Sequence, residues 1–266
     1  MNFIGSIKMI NNIRFFDYIP AVLSPWFNDD KPLWFILNCI KETIYTIVNA
    51  NPEKYKEISR GIFTDKNVKM DKYVEIYGPA LIGEGCELRH GAFIRENVII
   101  LNNCVIGNST EIKNSVLFNN VQAPHYNYIG DSILGNYAHL GAGVKISNVL
   151  LLKDKRKRVE ELQRNGKFGF CNEVSGAKET FQLKKVKIKM PDSKWEDTDR
   201  EKFGAIIGDY AEIGVNTVIN PGTLLEKDIF VPSSINIGGY FRKDFVFSRN
   251  IIYESGNQGF TENKPV

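Results

Sequence analysis

Two groups of side chains in this sequence have the types and spacing to do chemistry. His125 stands in the segment Pro124-His125-Tyr126-Asn127 and is one of only three histidines, with His90 and His139. An imidazole with an ordinary pKa near 6.5 is suited to taking a proton from an amine or hydroxyl nucleophile at neutral pH. The same histidine, with Tyr128 beside it, could equally fill a corner of the fold and hydrogen-bond to backbone. Arg95 and Lys113 are eighteen residues apart. If the fold repeats at that interval, their side chains leave one edge, one above the other. Two stacked cations repel unless an anion joins them, and phosphate is the obvious anion. On an exposed face they can instead splay into water at little cost. Cys39, Cys86, Cys104 and Cys171 lie far apart without a C-x-x-C pair. Neither a disulfide framework nor a Cys/His zinc site is indicated, and no metal is expected.

The elements that must position these residues follow from an internal repeat. From Met70 an apolar residue recurs at every sixth position: Ile76, Ile82, Leu88, Ile94, Ile100, Ile106, Ile112 and Phe118. The frame then slips by four residues, resumes at Tyr128, Leu134, Leu140 and Ile146, and returns after a long insertion at Ile207, Ile213, Ile219, Leu225 and Val231. In a chain 43% hydrophobic, chance filling of these positions is on the order of 10⁻⁷, so the period is real. Gly follows the apolar residue at 83, 107, 135, 141, 208 and 214, and the fifth place is small or β-branched, as at Ala80, Ala92, Thr110, Ala138 and Thr217. This is the hexapeptide repeat of a parallel β-helix, in which three hexads make one triangular coil. The fold class is therefore mainly β, with six coils stacked about 4.8 Å apart around an aliphatic core. The slip between Phe118 and Tyr128 is expected to push a loop out of the prism, and that loop carries His125.

Outside the repeat, residues 1–67 contain KPLWFILNCIKETIYTIVN, whose Trp34, Leu37, Ile40, Ile44 and Ile47 fall at helical intervals behind Asp29-Asp30. They are expected to form a helical cap over the terminal coil, hiding its apolar interior and open strand edge. The β-helix then spans 68–238, interrupted by a basic insertion at 149–202, with a poorly patterned tail at 239–266. The stretch 150–190 holds twelve Lys or Arg against five Asp or Glu. Within it FQLKKVKIKM alternates in polarity as a hairpin arm does. Its charge suits a flap over an anionic ligand, a solvated excursion or a subunit contact. The whole chain carries 34 Lys plus Arg against 31 Asp plus Glu, a net +3, which argues for neither a nucleic-acid nor a membrane partner. No signal-peptide core and no run of eighteen apolar residues is present, so a cytoplasmic protein is expected.

Lys113, His125, Tyr128 and the run GDSILGNYAHLGAG (130–143) resemble the acetyltransferase domain of the bifunctional enzymes that acetylate glucosamine-1-phosphate and then uridylate it. More broadly, the chain is similar to stand-alone hexapeptide proteins related to N-acetylglucosamine-1-phosphate uridyltransferase. The resemblance covers about 70–148 and resumes at 204–238. It implies a left-handed β-helix, a homotrimer with sites between prisms, acetyl-CoA as cosubstrate and an amino-sugar phosphate or nucleotide sugar as partner. It also implies that His125 is the general base, that Arg95, Lys113 and Tyr128 hold the sugar phosphate, and that Asn148 is a substrate-side contact. Val215 and Ser233 would border the acetyl-CoA. Three departures stand out. His139 replaces a family Asn at the substrate side. Val149-Leu150-Leu151 replace a Tyr-Asp-Gly segment and the Lys after it, for which Lys153 or Lys155 could substitute. Residues 1–67 are too short for the uridyltransferase half and show no Gly-rich phosphate loop. Two other classes remain: a hexapeptide carbonic anhydrase using His90, His125 and His139, and a non-catalytic β-helix that binds a sugar nucleotide or scaffolds a separate nucleotidyltransferase.

Overall fold

A computed structural model describes residues 12–28, 31–151, 156–157, 160, 164, 184–190 and 194–247. The hexads fold into a parallel β-helix with three flat faces, as the spacing predicts, and it is left-handed, as the resemblance implies. The first face runs through strands Ile62–Asp65, Ala80–Ile82, Val98–Ile100, Ser115–Leu117, Ile133–Leu134, Ala205–Ile207, Thr223–Leu225 and Tyr240–Phe241. The second face begins at Lys69–Met70 and ends at Phe230–Val231; the third runs from Glu75–Ile76 to Asn236–Ile237. Each of these two faces has seven strands. The prism therefore has seven full coils and an eighth strand on the first face, more than the hexad count predicts, because Ile62–Asp65 starts it early, Asn236–Ile237 and Tyr240–Phe241 extend it, and Ala123 adds an inward position.

One aliphatic residue per strand points inward. Ile82, Leu88, Ile94, Ile100, Ile106 and Ile112 are all fully buried in one continuous core. Each contributes about 1.5–3 kcal/mol through burial. The frame shift differs from the expected one. The inward positions after Ile112 are Leu117, Ala123, Ile129 and Leu134, not Phe118 and Tyr128. Two steps, Ile112 to Leu117 and Ile129 to Leu134, are thus one residue short at the same corner of successive coils. No loop is extruded: Gln122–His125 is a strand of the second face, paired to Val105–Asn108 below and to His139 above. Two short steps displace the register almost as one four-residue insertion would, and the apolar Phe118 and Tyr128 hide the difference.

Helical turns occupy part of residues 1–67, but they cover a side of the prism and not its end, and the strands Tyr55–Ser59 and Ile62–Asp65 fall within the span expected to be a helical cap. Three 3₁₀ turns, Asn12–Arg14, Ala21–Trp26 and Leu33–Asn38, lead into α1, Ile40–Ala50. Phe16, Leu23, Trp34, Ile36, Ile40 and Ile44 pack on Phe63, Leu81, Ile99, Val116, Phe118, Ile133, Ile206 and Leu224, the outward residues of the first face. That row of apolar residues requires cover, which is why the segment lies flat along it. It runs opposite to the rise of the coils. Tyr45 of α1 meets Phe63 of the first coil, whereas Phe15 meets Tyr240 of the last. Arg14 pairs with Glu226 at 3.1 Å, and Lys227 pairs with Asp17. Asp209, fully buried, accepts hydrogen bonds from Asp17 N and Asn136 N.

The insertion returns as an antiparallel hairpin, Lys187–Lys189 with Trp195–Asp197, whose Val186, Ile188 and Met190 join the same apolar layer. The hairpin expected around FQLKKVKIKM is present, but most of the basic stretch, including Lys153 and Lys155, lies outside the described residues. The tail has a structural use that its pattern hides: Phe241, Phe245 and Phe247 pack on one another over the core of the last coil.

Candidate active site

The edge between the second and third faces stacks one residue per coil. Backbone bonds define it: Gly143 N donates to His125 O (2.9 Å), Asn216 N to Ala142 O (2.8 Å) and Ser234 N to Val215 O (2.8 Å). His125, Ala142, Val215 and Ser233 therefore form one ridge, with Val215 two coils above His125, or about 10 Å, and Ser233 about 14 Å. The His125 side chain is exposed, and its ring makes no hydrogen bond among the described residues. Tyr126 beside it is 59% exposed and holds a φ of 53°. Lys145 closes the edge by donating to Tyr126 O at 3.1 Å and Gly143 O at 2.7 Å.

On the second face, beside the ridge, Gly107, Pro124, Gly141, Gly214 and Pro232 fall at equivalent positions of successive coils. A Cβ at Gly141 would lie 2.8 Å from Val215 N, and one at Gly214 would lie 2.3 Å from Ser233 N. Close stacking demands glycine there, and the result is a narrow track clear of long side chains. Val215, 43% exposed, is its apolar border.

The third face begins where the ridge ends. Glu111 pairs in register with Tyr128, and Ile94 with Ile112, so Lys113 stands directly above Arg95. The stacking expected from the eighteen-residue spacing is present. The anion that joins the pair belongs to the chain itself: Glu96 lies 3.6 Å from Lys113 Nζ and 3.8 Å from Arg95 Nε. Arg95 Nη1 also donates to Glu111 at 2.9 Å. The hydrogen bond to Glu111 holds the guanidinium firmly charged, and the backbone bond and the two cations hold Glu96 below its usual carboxylate range. Tyr128 is half-buried beside them, and burial pushes its phenol up. Gly130 makes room for it, since a Cβ there would meet Asn148 Nδ2 at 2.7 Å and Tyr128 Oη at 2.9 Å.

Asn148 and His139 occupy other places. Asn148 is buried and donates to Asp131 Oδ2 at 2.6 Å, while Asp131 Oδ1 accepts from Asn114 (2.8 Å) and pairs with Arg200 at 3.1 Å. One carboxylate thus ties the residue where the insertion leaves the prism to the residue where it returns. His139 points from the second face, with Nδ1 2.7 Å from Glu212. His90 lies on the His125 ridge two coils below, with Asn108 between them, so the three histidines do not converge. Among the described residues no group of three His, Cys, Asp or Glu side chains could hold a metal ion, and no helix is long and apolar enough to cross a membrane. Sequence reasoning missed Glu96, Glu111, Asp131 and Arg200. Pairing outward positions across coils would have found Glu111 opposite Phe93; Glu96 required knowing that the next coil is one residue shorter.

A hexad interior, three parallel faces and short corners make one assignment. The chain folds as a hexapeptide-repeat β-helix. Residues 76–170 match the profile of the GMPPB C-terminal domain. The chain is 26% identical to the bifunctional protein GlmU of Methanococcus aeolicus over 78% of its own length and 46% of that protein's. It is 27% identical to a bifunctional sugar-1-phosphate nucleotidylyltransferase/acetyltransferase of Sulfurisphaera tokodaii, over 60% of this hexapeptide-repeat chain and 37% of the relative. It therefore spans less than half the length of either. A hexapeptide transferase family protein from Anaplasma phagocytophilum aligns over 71% of the chain and 82% of its own, with 14% identity and a TM-score of 0.31.

Proposed function

We propose that this hexapeptide-repeat protein is an acyltransferase that moves an acetyl group from acetyl-CoA to the amine of an amino-sugar phosphate such as glucosamine-1-phosphate. One observation carries the reading: His125 shares a ridge with Val215 and Ser233, and Arg95, Lys113 and Tyr128 stand on the face that begins at that ridge. Bound acetyl-CoA would supply an activated thioester along the glycine track, bordered by Val215 and Ser233. His125, exposed and uncommitted, takes the proton from the attacking amine. Arg95, Lys113 and Tyr128 hold the phosphate and so keep the amine at near-attack distance. Asn148 acts through Tyr128, whose hydroxyl it adjoins. His139, one face away, reaches the same substrate only where a second subunit brings second and third faces together. The reading is therefore of a homotrimer with shared sites, working in the cytoplasm.

Thiol release from acetyl-CoA, measured with a panel of amino-sugar phosphates, tests the reading. His125→Ala should lower turnover by about 10²–10⁴-fold, and Lys113→Ala should raise KM for the acceptor with kcat less affected. A second reading, a non-catalytic β-helix that binds a sugar nucleotide or scaffolds a separate nucleotidyltransferase, is favoured by the neutral charge of the Arg95–Lys113–Glu96–Glu111 group. No thiol release with any acceptor, alongside undiminished sugar-nucleotide binding by His125→Ala, selects it.

A further inference from the structure

The cationic pair on the third face is already occupied, and its occupant has an unusual origin. Ile94 pairs with Ile112 and Val98 with Ser115, so residues 95–97 of one coil stand against only 113–114 of the next. The surplus residue at this corner carries a carboxylate, and it reaches across to the neighbouring coil's lysine. Its contacts to the two cations are loose. At 3.6 Å and 3.8 Å both exceed a good charge-assisted hydrogen bond of about 2.7–2.9 Å, whereas the Arg95–Glu111 contact at 2.9 Å does not. The Glu96 side chain is 39% exposed, so water is ready to receive it. A carboxylate that spans two cations loosely, from a corner open to solvent, is built to be displaced. Glu111, hydrogen-bonded to Arg95 on the other side, is built to stay.

We propose that Glu96 is a resident competitor for the phosphate subsite: it neutralises Arg95 and Lys113 in the free protein and must swing out for a phosphomonoester to bind, thereby setting the affinity and anion selectivity of the clamp. This rests on the phosphate-clamp reading given above. The energetic logic is direct. With Glu96 in place the group Arg95, Lys113, Glu96 and Glu111 has no net charge, and an arriving dianion meets a like charge at contact distance. Displacement therefore weakens phosphate binding relative to a clamp that lacks the glutamate. It also favours ligands whose phosphate reaches both cations at once, since a single contact leaves Glu96 in place.

Calorimetric titration of the full chain with inorganic phosphate and with glucosamine-1-phosphate, at low ionic strength, tests this. Glu96→Gln preserves side-chain shape and should bind both about tenfold more tightly than wild type, the effect of removing one like charge near the site. The gain should disappear in Glu96→Gln combined with Lys113→Ala. Equal affinities for wild type and Glu96→Gln, with Lys113→Ala still weakening the wild type, would overturn the competitor and leave the clamp standing. No phosphate binding by either wild type or Glu96→Gln would remove the clamp itself, and the competitor with it. Thermal melts of each variant keep a folding defect from being read as a loss of affinity.

Discussion

Gly107 has no room for a methyl group, because a Cβ there would stand 1.5 Å from the carbonyl oxygen of Pro124 in the next coil. Backbone on both sides cannot move without separating two coils. Gly107→Ala should therefore cost about 3 kcal/mol or more and remove most soluble protein on expression. Gly91→Ala makes the contrast. It sits at a φ of +73° with its nearest neighbour 3.5 Å from the added atom. Only the left-handed conformation opposes it, at about 1–2 kcal/mol. Comparing the two melting temperatures separates clash from conformational strain. At this scale part was legible beforehand: the eighteen-residue spacing put Lys113 over Arg95, whereas Gly107 stood out only as a member of the repeat and its crowding shows in the stacked coils. Glu96 was not legible, because its partner is set by a one-residue shortening that residue types do not reveal. Asn148 has a structural tie that its residue type does not announce. An asparagine beside a suspected site reads as a ligand contact, and only the fold shows Asp131 claiming its amide.

Elements here are held by few long-range polar contacts, each placed where packing alone would leave freedom. Asp131 is the clearest instance, 3% exposed and bonded to Asn114, Asn148 and Arg200. Asp131→Ala leaves the Arg200 guanidinium, whose side chain is 13% exposed, without its carboxylate. A cost of about 3–5 kcal/mol is expected, seen as a fall of roughly 10 °C in melting temperature. Arg200→Met should recover part of that fall in the double variant, since it removes the unpaired buried charge and leaves only the Asn114 and Asn148 amides without their acceptor. A second device runs up the edge between first and second faces. Asn102 accepts from Glu84 N, Asn119 from Asn102 N, Asn136 from Asn119 N, and Asp209 from Asn136 N, at 2.6–3.3 Å. This ladder crosses the insertion without a break and keeps coils on either side of it in register. The repeat was readable as strands because period six is strong. The direction of the helical segment was not, since an apolar stripe declares that it must be buried without declaring against which surface.

For the whole molecule, covering the first face leaves two faces to meet other subunits. Phe230 is 67% exposed on the second face, and Tyr77 is 48% exposed next to Phe93 on the third. Large aromatics so exposed are of the kind that anchor interfaces. Light scattering should return a particle three times the 30.2 kDa of the chain. Phe230→Asp should shift it toward monomer and, if sites are shared between subunits, lower acetyl transfer in parallel. A monomer that retains full transfer would oppose the shared site. The N-terminal segment also has a consequence in time. Arg14 and Asp17 are made more than two hundred residues before Glu226 and Lys227, the partners that fix them. On a ribosome α1 can dock once the first two coils have closed, but Phe15 must wait for Tyr240 and so for almost the whole chain, while Phe16 finds Phe118 midway. The segment therefore zips on backwards, from α1 toward the N-terminus. For a time on the order of tens of seconds, at about 5–20 residues per second, Phe15 is an aromatic exposed on the nascent chain, of the kind that chaperones engage.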